Sequence, residues 1–179
     1  SLVTILEPAK DAGVSTLKVG DNLWNYLPKV DRTMKVPAGM MSGSWMGSHF
    51  SNDDLVRESR LSEDFTAKFT QKPSEEKPEQ PYIIELIPKP DAPVVWGKVL
   101  AQIAKDKVPE QFTYFDEKGN LVRTMAFADV EEIDGRKVPM SMTLTPADKP
   151  GEYTKMHYDS LKFDIELSDR TFTLESLKR

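Results

Sequence analysis

The dipeptide Asp134-Gly135 constrains this chain more than any other feature of its sequence. A type I′ turn needs positive φ at both central residues, and Asp-Gly is one of the few pairs that adopts it readily. After it, residues 137–145 alternate, with Val138, Met140, Met142 and Leu144 separated by polar or small residues. That period of two is the signature of a half-buried strand. Residues 130–133 and 137–145 therefore read as a hairpin. Residues 110–115 and 121–128 flank a second turn, Asp116-Glu117-Lys118-Gly119-Asn120, with a glycine where positive φ is required. Residues 94–104 set Val95, Gly97, Val99, Ala101 and Ile103 on one face, residues 152–167 supply a further strand, and residues 171–177 form a tail carrying Phe172 and Leu174. Successive strands joined by tight turns give an antiparallel meander.

The first half is more broken. A short apolar run, Leu2 to Leu6, ends at Glu7-Pro8. Residues 17–19 and 23–27 flank Gly20-Asp21-Asn22 as a hairpin, with Leu23, Asn25 and Leu27 on one face and Trp24 and Tyr26 on the other. Residues 32–36 read as a third strand. Ser51-Asn52-Asp53-Asp54 supplies helix-start chemistry, since Ser51 or Asn52 can cap and the aspartates suit the positive end of the dipole. A short helix running through Leu61 is expected. Phe65, Ala67 and Phe69 alternate with Thr66, Lys68 and Thr70. The proline-rich and charged residues 71–81 have nothing to pack and read as a surface loop, so this strand and residues 82–87 are free to pair.

At 179 residues the chain fits a single domain, 1–179, with room for a real core. Its net charge is −5, and its lysines and arginines are scattered, which argues against nucleic acid as a partner. It has no cysteine, which excludes disulfides, thiolate metal sites and a cysteine nucleophile. Neither a signal peptide nor a transmembrane run is visible in these residues. Ser1 is followed at once by a mid-strand pattern, so the sequence is expected to begin downstream of a natural start.

In a chain that is 30% charged, residues 38–52 carry no formal charge with His49 neutral. Met40, Met41, Trp45, Met46 and Phe50 supply large apolar surface there, and Gly39, Gly43 and Gly47 supply backbone freedom. Three glycines weaken a helix by ~1 kcal/mol each, and a membrane span needs about 20 apolar residues. Methionine is unbranched and polarizable and fits ligands of varied shape. The block reads as an adaptable apolar lid or binding loop, and Met40, Met41, Trp45, Met46 and Phe50, together with Trp24, are the candidates for lining or gating a cavity. Met125, Met140, Met142 and Met156 read either as core or as the wall of that cavity.

Chemistry of other kinds has little to stand on. His49, Asp53, Asp54 and Glu58 make an incomplete metal set with one histidine, and the aspartates already have a capping role. His157 lies in an alternating stretch with no neighbouring nucleophile motif, and no Gly-x-Ser-x-Gly elbow occurs. No phosphate-binding glycine loop is present. No cofactor, metal or catalytic residue is assigned.

Residues 23–37 (Leu-Trp-Asn-Tyr-Leu-Pro-Lys-Val-Asp-Arg-Thr-Met-Lys-Val-Pro), running into residues 40–55, resemble the bacterial outer-membrane lipoprotein-sorting family, relatives of the periplasmic lipoprotein carrier LolA. Residues 115–124, the hairpin at 133–139 and the closing residues 172–179 agree with this resemblance, which covers nearly the whole chain. The resemblance implies a mainly β, α+β fold: a curved antiparallel sheet forming an incomplete barrel, with a short helix and loop as lid. It further implies an apolar concave face for acyl chains, no enzymatic activity, periplasmic location, a signal peptide in the precursor, and N-terminal elements preceding Ser1. Expected partners are lipoprotein acyl chains or another lipid, inner- and outer-membrane transport partners, and a second copy through an exposed sheet edge. The alternative is a periplasmic sensor or interaction module that uses the same sheet to bind a protein.

Overall fold

The computed structural model describes residues 1–57, 61–92 and 94–178. It divides into two compact units, one of residues 1–59 with 164–179 and one of residues 60–163. Both are built on antiparallel sheet, as the alternation and turns require.

The first unit holds four strands, β1 (Leu2–Thr4), β2 (Ser15–Val19), β3 (Asn22–Leu27) and β4 (Arg32–Lys35), in that spatial order. Leu17 pairs with Trp24 and Trp24 with Lys35, so these share one face; Thr16, Asn25 and Met34 share the other. Both faces need cover, because Leu17 and Leu23 point to opposite sides and each is only 1% exposed. The closing 3-10 turn, Leu174–Lys178, packs on β2 and β3 and is anchored by Leu177, which is fully buried. The Lys178 ammonium donates to Asp31 Oδ1 at 2.8 Å, and the Tyr26 hydroxyl donates to the same oxygen at 3.2 Å. Tyr26 shares the face of Trp24, so the turn covers the Leu17 side.

The bond from Lys178, with its positive charge and the Tyr26 hydroxyl in support, holds the Asp31 carboxyl below the ordinary range. A carboxylate with a lowered folded-state pKa stabilises the fold above its unfolded pKa and loses that contribution as pH falls through the folded value. Asp31→Asn is therefore expected to melt slightly below the parent at neutral pH and to converge with it in strong acid. The gap is small because the group is exposed and screened. A difference that widens below pH 3 in parallel thermal melts would contradict this assignment.

The first unit also contains α1 (Asn52–Arg57); the second begins at α2 (Leu61–Asp64). The single helix expected from 51 through Leu61 crosses residues 58–60, which lie outside the described residues, as do Glu58 and Pro93. Seven strands follow in a pure meander: β5 (Phe65–Gln71), β6 (Tyr82–Pro88), β7 (Lys98–Ile103), β8 (Pro109–Phe115), β9 (Leu121–Ile133), β10 (Arg136–Pro146) and β11 (Thr154–His157). The strand order is linear in both sheets, so neither closes into a barrel. Asp134 and Gly135 take φ of 51° and 75°, and Gly119 takes 83°, as their turns demand.

In the first unit the run from Leu2 forms a strand only to Thr4 and β2 starts two residues early, at Ser15; three larger differences follow. Residues 121–128 and 130–133 form one strand, with Asp129 at φ 55° inside it. The strand expected over 94–104 starts only at Lys98, because Gly97 lies against the β8–β9 turn. The strand expected over 152–167 is confined to Thr154–His157. Tyr158 N–H still reaches the Met140 carbonyl at 2.8 Å, but beyond it the chain leaves the ladder, with Phe163 under the Arg136 guanidinium and Asp164 at φ 53°.

Candidate functional site

Register across the seven-stranded sheet builds a row that no single strand reveals. Phe69, Ile84, Ala101, Phe112, Met125 and Leu144 stand opposite one another in succession from β5 to β10. At about 4.8 Å between strands, six strands extend this row over ~24 Å. One pleat along, Ala67, Leu86, Val99, Tyr114, Arg123 and Pro146 form a parallel row on the same face. Phe127, Met142 and Met156 continue the apolar surface over β9 to β11. The intervening row, Lys68, Glu85, Leu100, Thr113, Thr124 and Thr145, faces the other way and is mostly polar. The sheet is thus strongly two-sided.

Burial on the apolar face is graded. Val99 and Leu144 are fully buried, Met125, Met142 and Tyr114 nearly so, Phe112 and Phe127 half-buried, and Phe69 is 49% exposed. Phe112 and Phe127 meet edge to face with centroids 5.1 Å apart, and Phe69 meets Tyr82 at 5.9 Å. Arg123 is a formal charge set on this face. Its guanidinium lies 4.5 Å from the ring centres of both Trp96 and Tyr114, contacts that stabilise a desolvated cation. The sequence reading does not point to Trp96, Phe112, Tyr114, Arg123 or Phe127 as site residues. Parity would have found most of them, since 112 and 114, and 123, 125 and 127, are each two apart.

Residues 38–52 form a tightly bonded loop in the first unit. Met46 and Gly47 take φ of 50° and 75°, and Ser48 N–H donates to the Trp45 carbonyl at 2.9 Å, closing a turn of the hairpin kind. Trp45 N–H then reaches the Phe50 carbonyl at 2.7 Å and Ser44 bridges to Ser51. Asn52 Nδ2 donates to the carbonyls of Met40 and Gly43 at 3.1 and 3.2 Å. Ser51 and Asp54 cap α1 reciprocally: Asp54 N–H donates to Ser51 Oγ at 3.2 Å and Ser51 N–H to Asp54 Oδ2 at 2.7 Å. This is the capping-box arrangement, with Asp in the usual place of Glu.

Within the block, Phe50 is buried and Trp45 half-buried, its indole N–H donating to Thr16 Oγ1 at 3.1 Å, which in turn donates to Asn25 Oδ1 at 2.8 Å. Met41 is half-buried, whereas Met40 and Met46 are 62% and 38% exposed. Trp24 stands on the face opposite Thr16 and Asn25, with Lys35 over its ring at 5.8 Å. The structure therefore brings Trp45 and Phe50 into one packed loop, presents Met40 and Met46 outward, and sets Trp24 on the other side of the small sheet.

His157 lies beside Asp129, Ser141 and Lys155. Ser141 Oγ donates to Asp129 Oδ2 at 2.5 Å and Lys155 approaches the same oxygen at 3.7 Å. The Ser141 bond first, then the positive charges of Lys155 and His157, hold the Asp129 carboxyl below its ordinary range. An activated serine gives its proton to an adjacent base and must be reachable; Ser141 is 2% exposed and bonds a carboxylate. Among the described residues, no group of three or more His, Asp or Glu side chains is placed to hold a metal ion, and no helix is long and apolar enough to cross a membrane.

Comparison with known proteins agrees with this architecture. A protein family described as "uncharacterized protein" matches residues 1–179. No match to a curated protein was found. Among solved structures, a Vibrio parahaemolyticus domain described as an outer-membrane lipoprotein-sorting protein superposes with TM-score 0.81 at 23% identity, covering 99% of this chain and 77% of its own. A DUF1329 family protein from Desulfovibrio piger gives TM-score 0.86 at 23% identity, covering 98% and 75%. A LolA superfamily protein from Nitrosomonas europaea gives 0.76 at 24%, covering 98% and 76%. At these identities the likeness is one of fold, and a fold hosts many functions. The chain belongs to the family matched over residues 1–179, and its fold is the mainly β, LolA-like fold of the lipoprotein-sorting domains.

Proposed function

We propose that this protein is a non-catalytic periplasmic carrier or binding protein that holds lipoprotein acyl chains or another lipid. The observation that carries the reading is the apolar cross-strand row from Phe69 to Leu144. Its ~24 Å exceeds the ~15 Å of half a bilayer's hydrocarbon core, so the row matches an acyl chain in length, and its less buried members Phe69 and Phe112 are where a chain would first make contact. Each methylene removed from water contributes ~0.8 kcal/mol. Ten of them give a gross ~8 kcal/mol, the scale of micromolar binding before the cost of association is subtracted. The methionines on this face adapt to chains of varied shape.

Residues 38–52 have a supporting part in this reading. Met40 and Met46 offer exposed thioether surface to a lipid, Trp45 and Phe50 hold the loop that presents them, and Met41 adds apolar area; Trp24, on the other face of the small sheet, would meet a lipid separately from this loop. Residues 1–179 act as one lipid-binding domain, and partners at the two membranes load and unload it. No chemistry is required of His49 or His157.

Titration with a fluorescent fatty acid tests the proposal. Phe112→Ala is expected to weaken binding by about tenfold, since an aromatic side chain buries 150–250 Å². Thr113→Ala, on the opposite face, should bind as the parent does. Equal affinity of the two variants, or lipid-free protein in native mass spectra after purification from a membrane-containing host together with no fatty-acid binding, would defeat the reading.

A further inference from the structure

We infer that β5 is a docking edge for an extended segment of a partner protein in which one acidic residue stands between two apolar ones. The two sheets end in four strands. β1 has three residues and β4 and β11 have four each, while β5 has seven. Short edge strands are one way proteins avoid adventitious pairing; β5 lacks that protection. Its consecutive residues Thr66 to Thr70 are all exposed, and among the described residues no backbone hydrogen bond reaches its outer side. A seven-residue edge with unpaired N–H and C=O groups is the template that strand addition uses.

The side chains specify the occupant. Ala67 and Phe69 lie on the apolar face, and Phe69 is 49% exposed although it packs on Tyr82. A strand laid antiparallel to β5 sets residues directly opposite these two, and apolar residues there would extend the cross-strand row over Phe69. Lys68 points to the polar face. Its cross-strand neighbour Glu85 is paired with Lys98 at 3.9 Å, and among the described residues no hydrogen bond or ion pair engages Lys68, which is open to a partner on the outer side. Opposite charges directly across a ladder stabilise it and like charges weaken it. An acid opposite Lys68, flanked by apolar residues opposite Ala67 and Phe69, satisfies all three positions. A second copy of β5 does not, since Phe65–Gln71 contains no acidic residue. The β-bulge between Phe69 and Gln71 limits the pairing to the first part of the strand.

The experiment uses the lipid-free full chain and the peptide Val-Thr-Val-Glu-Val-Thr-Val, with a second peptide carrying Lys in place of Glu. Fluorescence anisotropy measures affinity and hydrogen exchange locates the site. The parent is expected to prefer the Glu peptide by about fivefold, with protection of the amides of Phe65–Gln71. Lys68→Glu should reverse the preference, and Lys68→Gln, which keeps the strand free of a like charge opposite Glu85, should abolish it. Equal affinity for both peptides, protection elsewhere than β5, no saturable binding at millimolar peptide, or a dimer of the protein that the peptide fails to dissolve would each overturn the inference. Fatty-acid affinity does not enter any of these outcomes, so the lipid reading stands or fails separately.

Discussion

Leu177→Ala is expected to destabilise the unit of residues 1–59 and 164–179 by about 2–5 kcal/mol. Leu177 is fully buried although it lies in a short 3-10 segment, which has little stability of its own. The segment stays in place because Leu177 fills the space over β2 and β3. Removing three carbons loses their transfer free energy and leaves a cavity, because Leu17 and Trp24 belong to a hydrogen-bonded ladder that cannot collapse freely. The Asp31–Lys178 contact cannot compensate, since both side chains are at least half exposed and surface pairs contribute ~0–1 kcal/mol. Trp24 and Trp45 report on this unit and Trp96 on the other. Urea unfolding of Leu177→Ala in a Trp96→Phe background should show the lowered midpoint. Leu174→Ala, at a 48% exposed position three residues earlier, should change stability by less than ~1 kcal/mol. A loss under 1 kcal/mol for Leu177→Ala would mean that the closing segment merely rests on the sheet.

Leu177 also marks where the sequence stopped being legible. In the tail the sequence points to Phe172 and Leu174, the larger or earlier apolar residues, yet Leu174 is exposed and Leu177 is the anchor. No periodicity operates over so short a segment, and the identity of the buried residue is set by a sheet more than 140 positions away in sequence. The meander was legible for the opposite reason. Asp134-Gly135 and Asp116–Asn120 are local devices that fix both a turn and the register of the strands they join. Where no turn closed a pair, pattern alone overreaches: Leu161, Phe163, Ile165 and Leu167 alternate as a strand would, but pairing with β10 ends at Ser141 and His157 although β10 runs on to Arg136, and they stay outside the sheet. The candidate site divides the same way. Parity put Val99, Ala101 and Ile103 on one face correctly, whereas the row through Phe112 and Met125 depends on register accumulated over five hairpins. The loop at 38–52 drew attention by composition. Its internal hydrogen bonds were hidden because they join carbonyls and side chains that no residue pattern specifies.

Gly97→Ala should be comparably damaging, at about 3 kcal/mol, for a reason unrelated to φ. A Cβ at Gly97 would collide with the Asp116 carbonyl oxygen and lie 2.6 Å from Glu117 Cα. Those are backbone atoms, and the turn that holds them is braced. Gly119 N–H donates to the Asp116 carbonyl at 3.0 Å, and Asp116 Oδ1 accepts from Lys118 and Asn120 N–H at 2.9 and 2.8 Å. Gly97 itself is tied to the Phe115 carbonyl at 2.9 Å. Relief therefore requires β7 and β8 to part at this end, and Trp96, the next residue, to leave the stack over Tyr114 and Arg123. A shifted Trp96 would strip part of the aromatic cover from a buried guanidinium, which adds to the steric cost. Two glycine controls separate the causes. Gly39→Ala meets nothing within 4 Å and has no positive φ, so it should be neutral. Gly135→Ala has open space but φ 75°, so it should cost ~1 kcal/mol from backbone strain alone. With thermal midpoints falling ~2–4 °C per kcal/mol at this size, Gly97→Ala should melt well below both and lose near-UV circular dichroism from Trp96. If it melts alongside Gly39→Ala with that signal intact, the close approach of the β8–β9 turn is not what fixes the start of β7.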